Sequence, residues 1–303
     1  MSTLAVAKKD FKDTRRTRTL WLVVLLLTVL GALMAYVFSG PTTSDATMAY
    51  ETQFLGIARI FSIIIPIVAL ISTYLAIAGE RDSGSIKFML SLPNTRLNVF
   101  AGKLLSRGLT VTAAIVLTFG VVAAILAVRT GAFPVAYTLG TIGVMALYSF
   151  TFVALAIAMS SAVTSRSRAI AGAVGSYFLL VVFYIFPFGS VTDVVGWINE
   201  SLLGQAPNPD LYDFAMHTSP FIAFQKLLNF VAPLQLQFRE FAASRADRRE
   251  LANAQTPEET EAILNAVDMP IYLTDEFSFV VMGFWILVPL AIGYWRFERA
   301  DLG

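Results

Sequence analysis

Six long apolar runs constrain the fold of this chain more than any other feature of its sequence. Each run is close to the length of about 20 residues that an α-helix needs to cross the hydrocarbon core of a membrane. Arg59 is the single charged residue inside them. The sequence therefore predicts an all-α integral membrane protein with six transmembrane helices. The predicted spans are Leu20–Phe38, Phe54–Ala78, Leu109–Val128, Val135–Ser161, Ile170–Phe188 and Phe277–Trp295.

Composition agrees with a chain that lies largely in lipid. Charged residues make up 14% of the sequence, whereas a soluble domain has roughly 25%. No repeat of 20–50 residues is visible, so we interpret residues 1–303 as a single transmembrane domain. The first span has a rival interpretation as a cleavable signal peptide. Its apolar run is too long for that and lacks a small-x-small cleavage site, which favours a retained span.

Basic residues are concentrated in the connections on one side of the predicted spans. They lie in the N-terminal tail, between spans 2 and 3, between spans 4 and 5, and at the C-terminus. Because short cytoplasmic loops carry the excess of Lys and Arg, we expect a multi-pass protein of the cell membrane with both termini in the cytoplasm. Residues 189–276 then form an external loop, which holds most of the acidic residues.

Three short helices are predicted outside the spans. The segment Leu4–Arg18 reads as an amphipathic helix with Leu4, Ala7 and Phe11 on one face, which either lies on the anionic leaflet or acts only as a basic anchor. In the external loop, Ser219-Pro220 is a helix-start signal. Thr256-Pro257-Glu258-Glu259 is a capping box. We therefore expect a small helical external cap between spans 5 and 6.

The sequence offers no catalytic motif and no metal-binding motif. Gly102-Lys103 lacks the other residues of a phosphate-binding loop, and the one histidine, His217, has no ligand cluster around it, so we predict a surface residue. Arg59 is open to two interpretations, a snorkelling side chain near the outer end of span 2 or a substrate contact. The residues considered for a substrate path are Arg59, Pro66, Phe183 and Tyr184, with ordinary lipid-facing packing as the alternative for the two aromatic ones.

A motif in three blocks lies between spans 2 and 3. It reads Glu80-Arg81-Asp82-Ser83-Gly84-Ser85-Ile86, then Leu90-Ser91-Leu92-Pro93-Asn94-Thr95-Arg96, then Gly102-Lys103. In its order, its spacing and its place between spans, this loop resembles that of the permease subunits of type-2 ABC exporters. Among these, the chain is similar to the permeases that accompany nitrous-oxide reductase maturation. Its external loop is longer than in a minimal member, so no cargo is transferred from a relative.

The resemblance implies the transmembrane subunit of an ABC transporter, which exports a substrate by using ATP hydrolysed on a separate subunit. It implies a second permease chain, identical or different, and surrounding lipid, but no nucleic acid. This chain would hold no cofactor, since ATP and Mg would bind the partner ATPase. The helix Ser85–Leu92 would couple the two subunits. The residues expected to act in coupling are Glu80, Arg81, Ser85, Ile86, Leu90, Pro93, Arg96, Arg166 and Arg168.

Two other classes of protein remain open from the residues alone. A membrane-embedded enzyme acting on lipid would need clustered polar residues at one membrane depth, and none are evident. A membrane sensor would use the acidic external cap and would not need the motif at residues 80–96. The sequence therefore favours the transporter subunit and leaves a lipid-directed enzyme or sensor as the alternative.

Overall fold

The computed structural model describes residues 2–39, 45–86, 95–186, 189–231 and 270–300, together with residues 253, 256, 258 and 259. Every regular element among these residues is helical and none is a strand. Two compact units are present, one formed by Met1–Tyr177 and Gly283–Gly303, called here the main unit, and the other by Phe178–Met282, called the second unit. The interpretation of residues 1–303 as one domain stays a prediction.

Seven helices begin the chain in the main unit. They are α1 (Thr3–Arg15), α2 (Arg18–Phe38), α3 (Ala46–Thr73), α4 (Ala78–Asp82), α5 (Arg96–Thr130), α6 (Val135–Ala162) and α7 (Arg166–Tyr177). The last long helix of the chain is α12 (Phe277–Arg299). Six helical stretches of the described residues are long and apolar enough to cross a membrane, as predicted: Leu20–Phe38, Ala46–Asp82, Arg96–Thr130, Val135–Ala162, Arg166–Ile185 and Phe277–Arg299.

The second and third spans are longer than predicted because side chains cap them early. Asp45 Oδ1 accepts a hydrogen bond of 2.7 Å from the Thr47 N–H, so α3 begins eight residues before the predicted Phe54. Arg59 consequently lies near the middle of α3 rather than one or two turns from its start. Thr95 Oγ1 caps α5 in the same way. With 35 residues, α5 is about 52 Å long, well beyond the hydrocarbon thickness of about 30 Å.

The core of the main unit is built around α3 and α6. More than half of the apolar stretch of each is buried, against 22% for α2. Pro66 lies inside α3 and has no N–H to donate to the carbonyl of Ser62, four residues earlier in the helix. The hydroxyl of Tyr148 on α6 donates to that carbonyl at 2.9 Å. A break in the hydrogen bonding of one helix thus becomes a link to its neighbour.

Short helical segments make up the described part of the second unit. A π-helical stretch, Phe178–Val182, leads into α8 (Phe183–Ile185), and a second one, Ile198–Leu202, follows α9 (Val191–Trp197). The helices α10 (Pro209–His217) and α11 (Pro220–Val231) come next, and a 3-10 turn covers Ile271–Leu273.

Both helix-start signals predicted for the external loop are present in the second unit. Ser219 Oγ accepts from the Phe221 N–H at 3.1 Å. Thr256 Oγ1 accepts from the Glu259 N–H at 3.2 Å, although the rest of that predicted helix lies outside the described residues.

Candidate coupling site

A buried ion-pair network joins three helices at the end of the main unit where α3 gives way to α5. Two stretches of described residues are together called here the linking segment. They are residues 78–86, which contain α4, and residues 95–107, which cap and begin α5. Lys103 Nζ lies 2.7 Å from Glu80 Oε1 and 3.2 Å from Asp10 Oδ1. The Lys103 side chain is only 2% exposed, and these two carboxylates compensate for the burial of its ammonium group. The network ties α1 to both ends of the linking segment.

A second cation, Arg107, completes the network. Its Nε lies 3.2 Å from Asp10 Oδ2, and its Nη1 donates to the Ser72 carbonyl at 3.0 Å. Burial raises the pKa of Asp10, but the positive charges of Lys103 and Arg107 outweigh this effect and hold the pKa below its ordinary value. Asp10 is therefore an ionised carboxylate held between two cations.

Gly102 explains how α1 comes so close to α5. A Cβ atom at this position would lie 2.8 Å from both Cβ and Cγ1 of Val6 and 3.0 Å from the carbonyl oxygen of Thr3. No side chain fits there without moving α1. Gly102 and Lys103 of the motif thus act together. The glycine permits the close approach of α1, and the lysine pairs with the carboxylate of Asp10 on that helix.

Arg81 and Ser160 fix the linking segment to the end of α6. Arg81 Nη1 donates to the carbonyls of Ser161 and Val163 at 3.0 and 3.1 Å. Ser160 Oγ accepts from the backbone N–H groups of Ile77 and Ala78 at 3.0 and 2.9 Å. The last turn of one span therefore caps the start of α4, and the arginine of α4 caps the end of that span.

Arg96 caps a different span. Its Nη1 lies within 2.9 Å of three carbonyl oxygens at the end of α12, those of Phe297, Glu298 and Ala300. The last carbonyls of a helix have no partner inside the helix and carry partial negative charge. The guanidinium group therefore satisfies them and fastens the last span to the first turn of α5.

Of the two basic residues in the first turn of α7, one contacts the linking segment and the other does not. Arg166 Nε lies 3.0 Å from Asp82 Oδ2, with both side chains well exposed. Arg168 is exposed and makes no ion pair within the described part of the chain. Ser85 Oγ lies 3.0 Å from Ser83 Oγ, and Ile86 is buried. Leu90 and Pro93, and most of the predicted helix Ser85–Leu92, lie outside the described residues.

The residues considered for a substrate path fall in both units. Arg59 and Pro66 lie on α3 of the main unit, where Pro66 is buried. Phe183 and Tyr184 belong to the second unit and line a cavity of about 210 Å³ with Ser190 and other residues. Their role as substrate contacts stays a prediction.

His217 is not the surface residue that the sequence predicted. It is 7% exposed, and its Nδ1 lies 2.7 Å from the Asp213 carbonyl oxygen. His217 is the last residue of α10 and packs within the second unit. This helix has only nine residues, too few for sequence periodicity to reveal its buried face. Among the described residues no group of three or more metal-ligating side chains is found.

A buried lysine in the second unit was also missed. Lys226 Nζ donates to the carbonyls of Tyr272 and Thr274 at 3.2 and 2.8 Å. Burial lowers the pKa of Lys226 to about 8, against the attraction of Asp275 and Glu276. The amine therefore holds the chain just before α12 against α11.

Sequence reasoning assigned no role to Asp10 and did not predict which face of α1 packs within the main unit. Of the predicted apolar face, Leu4 is 69% exposed and Ala7 is buried, and the neighbouring Val6 is buried as well. The spacing of Val6, Asp10 and Thr14 at intervals of four is the signal that would have found this face. It was hidden because a carboxylate among so many basic residues resembles a solvated charge.

The apolar helices define the class of this chain, a multi-pass α-helical membrane protein. Residues 4–302 match the family described as ABC-2 family transporter protein, so the chain belongs to that family. It is accordingly the permease component of an ABC transporter, which is non-catalytic. The resemblance found in the sequence motif is confirmed.

Two relatives share this assignment at a distance. The chain is 26% identical over 183 residues to the probable ABC transporter permease protein NosY of Stutzerimonas stutzeri. It is 27% identical over 183 residues to the protein of the same description from Pseudomonas aeruginosa. The matched region covers 59% of this chain and 66% of each relative, just under two thirds of their length.

Proposed function

We propose that this chain is the membrane-spanning half of an ATP-driven exporter of the cell membrane. A separate subunit hydrolyses ATP and docks on the linking segment from the cytoplasm, where both termini of this chain also lie. Two permease chains assemble around the path of the substrate. The distribution of basic residues supports this orientation, and membership of the ABC-2 family supports the division of labour between subunits.

The observation that carries the proposal is that the linking segment contacts four other helices, most of them at their ends. Lys103, which is paired with Glu80, holds Asp10 of α1. Arg81 holds the end of α6, Arg96 holds the end of α12, and Asp82 pairs with the start of α7. A force applied to this one segment therefore reaches four other helices through direct hydrogen bonds and ion pairs.

Burial explains why such a segment transmits motion rather than absorbing it. A buried charge that loses its partner is costly, by about 3–5 kcal/mol, so Lys103 moves together with Asp10 and Glu80. The carbonyls at the ends of α6 and α12 likewise lose a hydrogen-bond donor if Arg81 or Arg96 withdraws. The spans then shift as connected bodies when the ATP-binding subunits close.

The first test is whether an ATP-binding subunit accompanies the chain. The full-length protein would be purified from its native membrane in mild detergent, and the accompanying chains identified by mass spectrometry. We expect a subunit with ATP-binding motifs in roughly equal amount. A pure permease chain, under conditions that keep known ABC complexes intact, would refute the proposed partnership.

The second test uses the exposed pair Asp82–Arg166, whose loss should leave folding intact. An exposed ion pair contributes about 1 kcal/mol at most, so Arg166→Gln should lower the ATP turnover of the purified complex by up to about fivefold. Arg168→Gln removes the same charge from the same helix without breaking an ion pair of the described residues, so the difference between the two variants isolates the pair. Restored turnover in the charge swap Asp82→Arg with Arg166→Asp would show that the pair itself acts. Equal turnover in all variants would contradict this route of coupling.

A further inference from the structure

A cavity of about 330 Å³ lies in the main unit between the junction of α1 with α2 and the helices α3 and α5. This volume falls at the lower end of the range of about 300–1,000 Å³ seen for small-molecule sites. The lining is polar at one end, where Thr14, Thr17, Ser72 and Arg107 lie. Elsewhere it is apolar and comes from all three long helices.

The polar residues share one end because of the helix directions. Ser72 lies near the end of α3, one turn after the lining residue Val68, and Arg107 precedes the lining residue Val111 by one turn in α5. Since α3 runs toward the linking segment and α5 runs away from it, both polar residues lie on that side. One turn of each helix, about 6 Å, separates the polar level from the apolar level.

Two side chains at the polar end have unused hydrogen-bonding capacity. Arg107 contacts Asp10 and the Ser72 carbonyl, which leaves several of its five N–H donors without a partner among the described residues. Thr14 is 92% buried, being 8% exposed, and its Oγ1 has no hydrogen-bond partner within the described part of the chain. Unsatisfied polar groups beside an open volume call for a polar ligand atom.

We propose that this cavity binds a phospholipid with an anionic headgroup. The phosphate lies at the guanidinium of Arg107, because arginine is the residue best suited to phosphate oxygens. One acyl chain extends along Val68, Val111 and the adjoining apolar surface. This assignment goes beyond the transport function and does not rest on it.

The apolar depth of the cavity distinguishes a lipid from free phosphate. A small anion would occupy only the polar end and leave the apolar level empty, whereas an acyl chain fills that level and makes van der Waals contacts with its lining. The cavity also adjoins α1, whose basic face attracts anionic headgroups toward this side of the membrane.

The test measures lipid bound to the full-length protein by native mass spectrometry. Protein stripped of lipid in detergent would receive phosphatidylglycerol or diacylglycerol with the same acyl chains. We expect one tightly held phosphatidylglycerol per chain. Diacylglycerol has no phosphate and loses the charge-assisted contact with Arg107, so its retention should be at least about tenfold weaker. Inorganic phosphate at millimolar concentration should not displace the lipid.

Two variants on α3 separate this site from the general lipid annulus. Ile71 lines the cavity and is 62% exposed, so Ile71→Trp fills the entrance without burying a new side chain. Ile63→Trp is the control, because Ile63 is also exposed on α3 but does not line the cavity. Binding lost in the first variant alone supports the site.

Three results would overturn the proposal. One is equal retention in both tryptophan variants and the unsubstituted protein. The second is equal retention of the two lipids, which would mean annular lipid only. The third is full displacement by phosphate, which would assign the polar end to a free anion.

Discussion

Replacing Gly102 by alanine tests whether the close contact of α1 with α5 holds the coupling network together. The new Cβ would lie 2.8 Å from two carbon atoms of Val6, whereas carbon atoms pack best at about 3.5–4.0 Å. The helix α1 must then retreat by about 0.7–1.2 Å, since the neighbour is a β-branched residue with little freedom. That shift would lengthen the 3.2 Å contact between Lys103 and Asp10 to roughly 4 Å.

The expected cost of Gly102→Ala is that of overpacking, about 1–3 kcal/mol. Gly120→Ala on the same helix is the matched control, because nothing lies within 4 Å of its Cβ position. Both substitutions gain the same helix propensity, up to about 1 kcal/mol. The difference between the two variants therefore isolates the contact with α1.

The chain has no cysteine, which gives a clean assay for release of α1. Ala7 is 5% exposed, so a cysteine placed there reacts with a thiol reagent only when α1 opens. A destabilisation of 1–3 kcal/mol should raise the labelling rate by about 5- to 150-fold in the Gly102→Ala background. Labelling as slow as in the Gly120→Ala background would refute the reasoning.

Two further predictions concern packing and pH. Gly293→Ala on α12 should lower the melting temperature far more than the control Gly283→Ala. A Cβ at position 293 would lie 2.5 Å from the Cα of Ala158, whereas a Cβ at position 283 would meet nothing within 4 Å. Equal melting temperatures of the two variants would contradict this prediction. Because the pKa of Lys226 falls from 10.5 to about 8, the unfolded chain binds more protons between these values. Stability should therefore rise with pH across that window, by about 3 kcal/mol at most, and stay flat below it. Thermal melting at pH 7 to 10.5 should show this rise in the unsubstituted protein but not in Lys226→Met.

The membrane architecture could be predicted from the sequence because the solvent imposes it. A bilayer requires about 20 apolar residues per helix and an internal partner for every backbone group, and both rules can be applied to a sequence. The residues at which helices begin and end were harder to predict from the sequence. The early start of α3 depends on Asp45 as a cap, and a capping residue is recognised with confidence only when the fold around it is known.

The partners of the motif residues could not be predicted from their spacing. Arg96 reaches the end of α12, about 200 positions further along the chain, and Lys103 meets Asp10 on α1. Such pairs depend on which helices become neighbours in the bundle. A periodic pattern reports the face of one helix only, so it carries no information on the helix that will cover that face.

The contacts of the motif change what its charged residues are expected to do. The resemblance implied that Glu80, Arg81 and Arg96 act in coupling to the ATP-binding subunit. Each of them has a polar atom that engages a helix end or a buried charge of the main unit, namely Glu80 Oε1, Arg81 Nη1 and Arg96 Nη1. Residues that connect helices within this chain are different from residues that contact the partner subunit. The exposed pair Asp82–Arg166 keeps its charges at the surface of the same region, which makes it the better candidate for contact with the partner. Substitutions at Arg81 or Arg96 should therefore reduce thermal stability together with ATP turnover, whereas substitutions at Arg166 should reduce turnover alone.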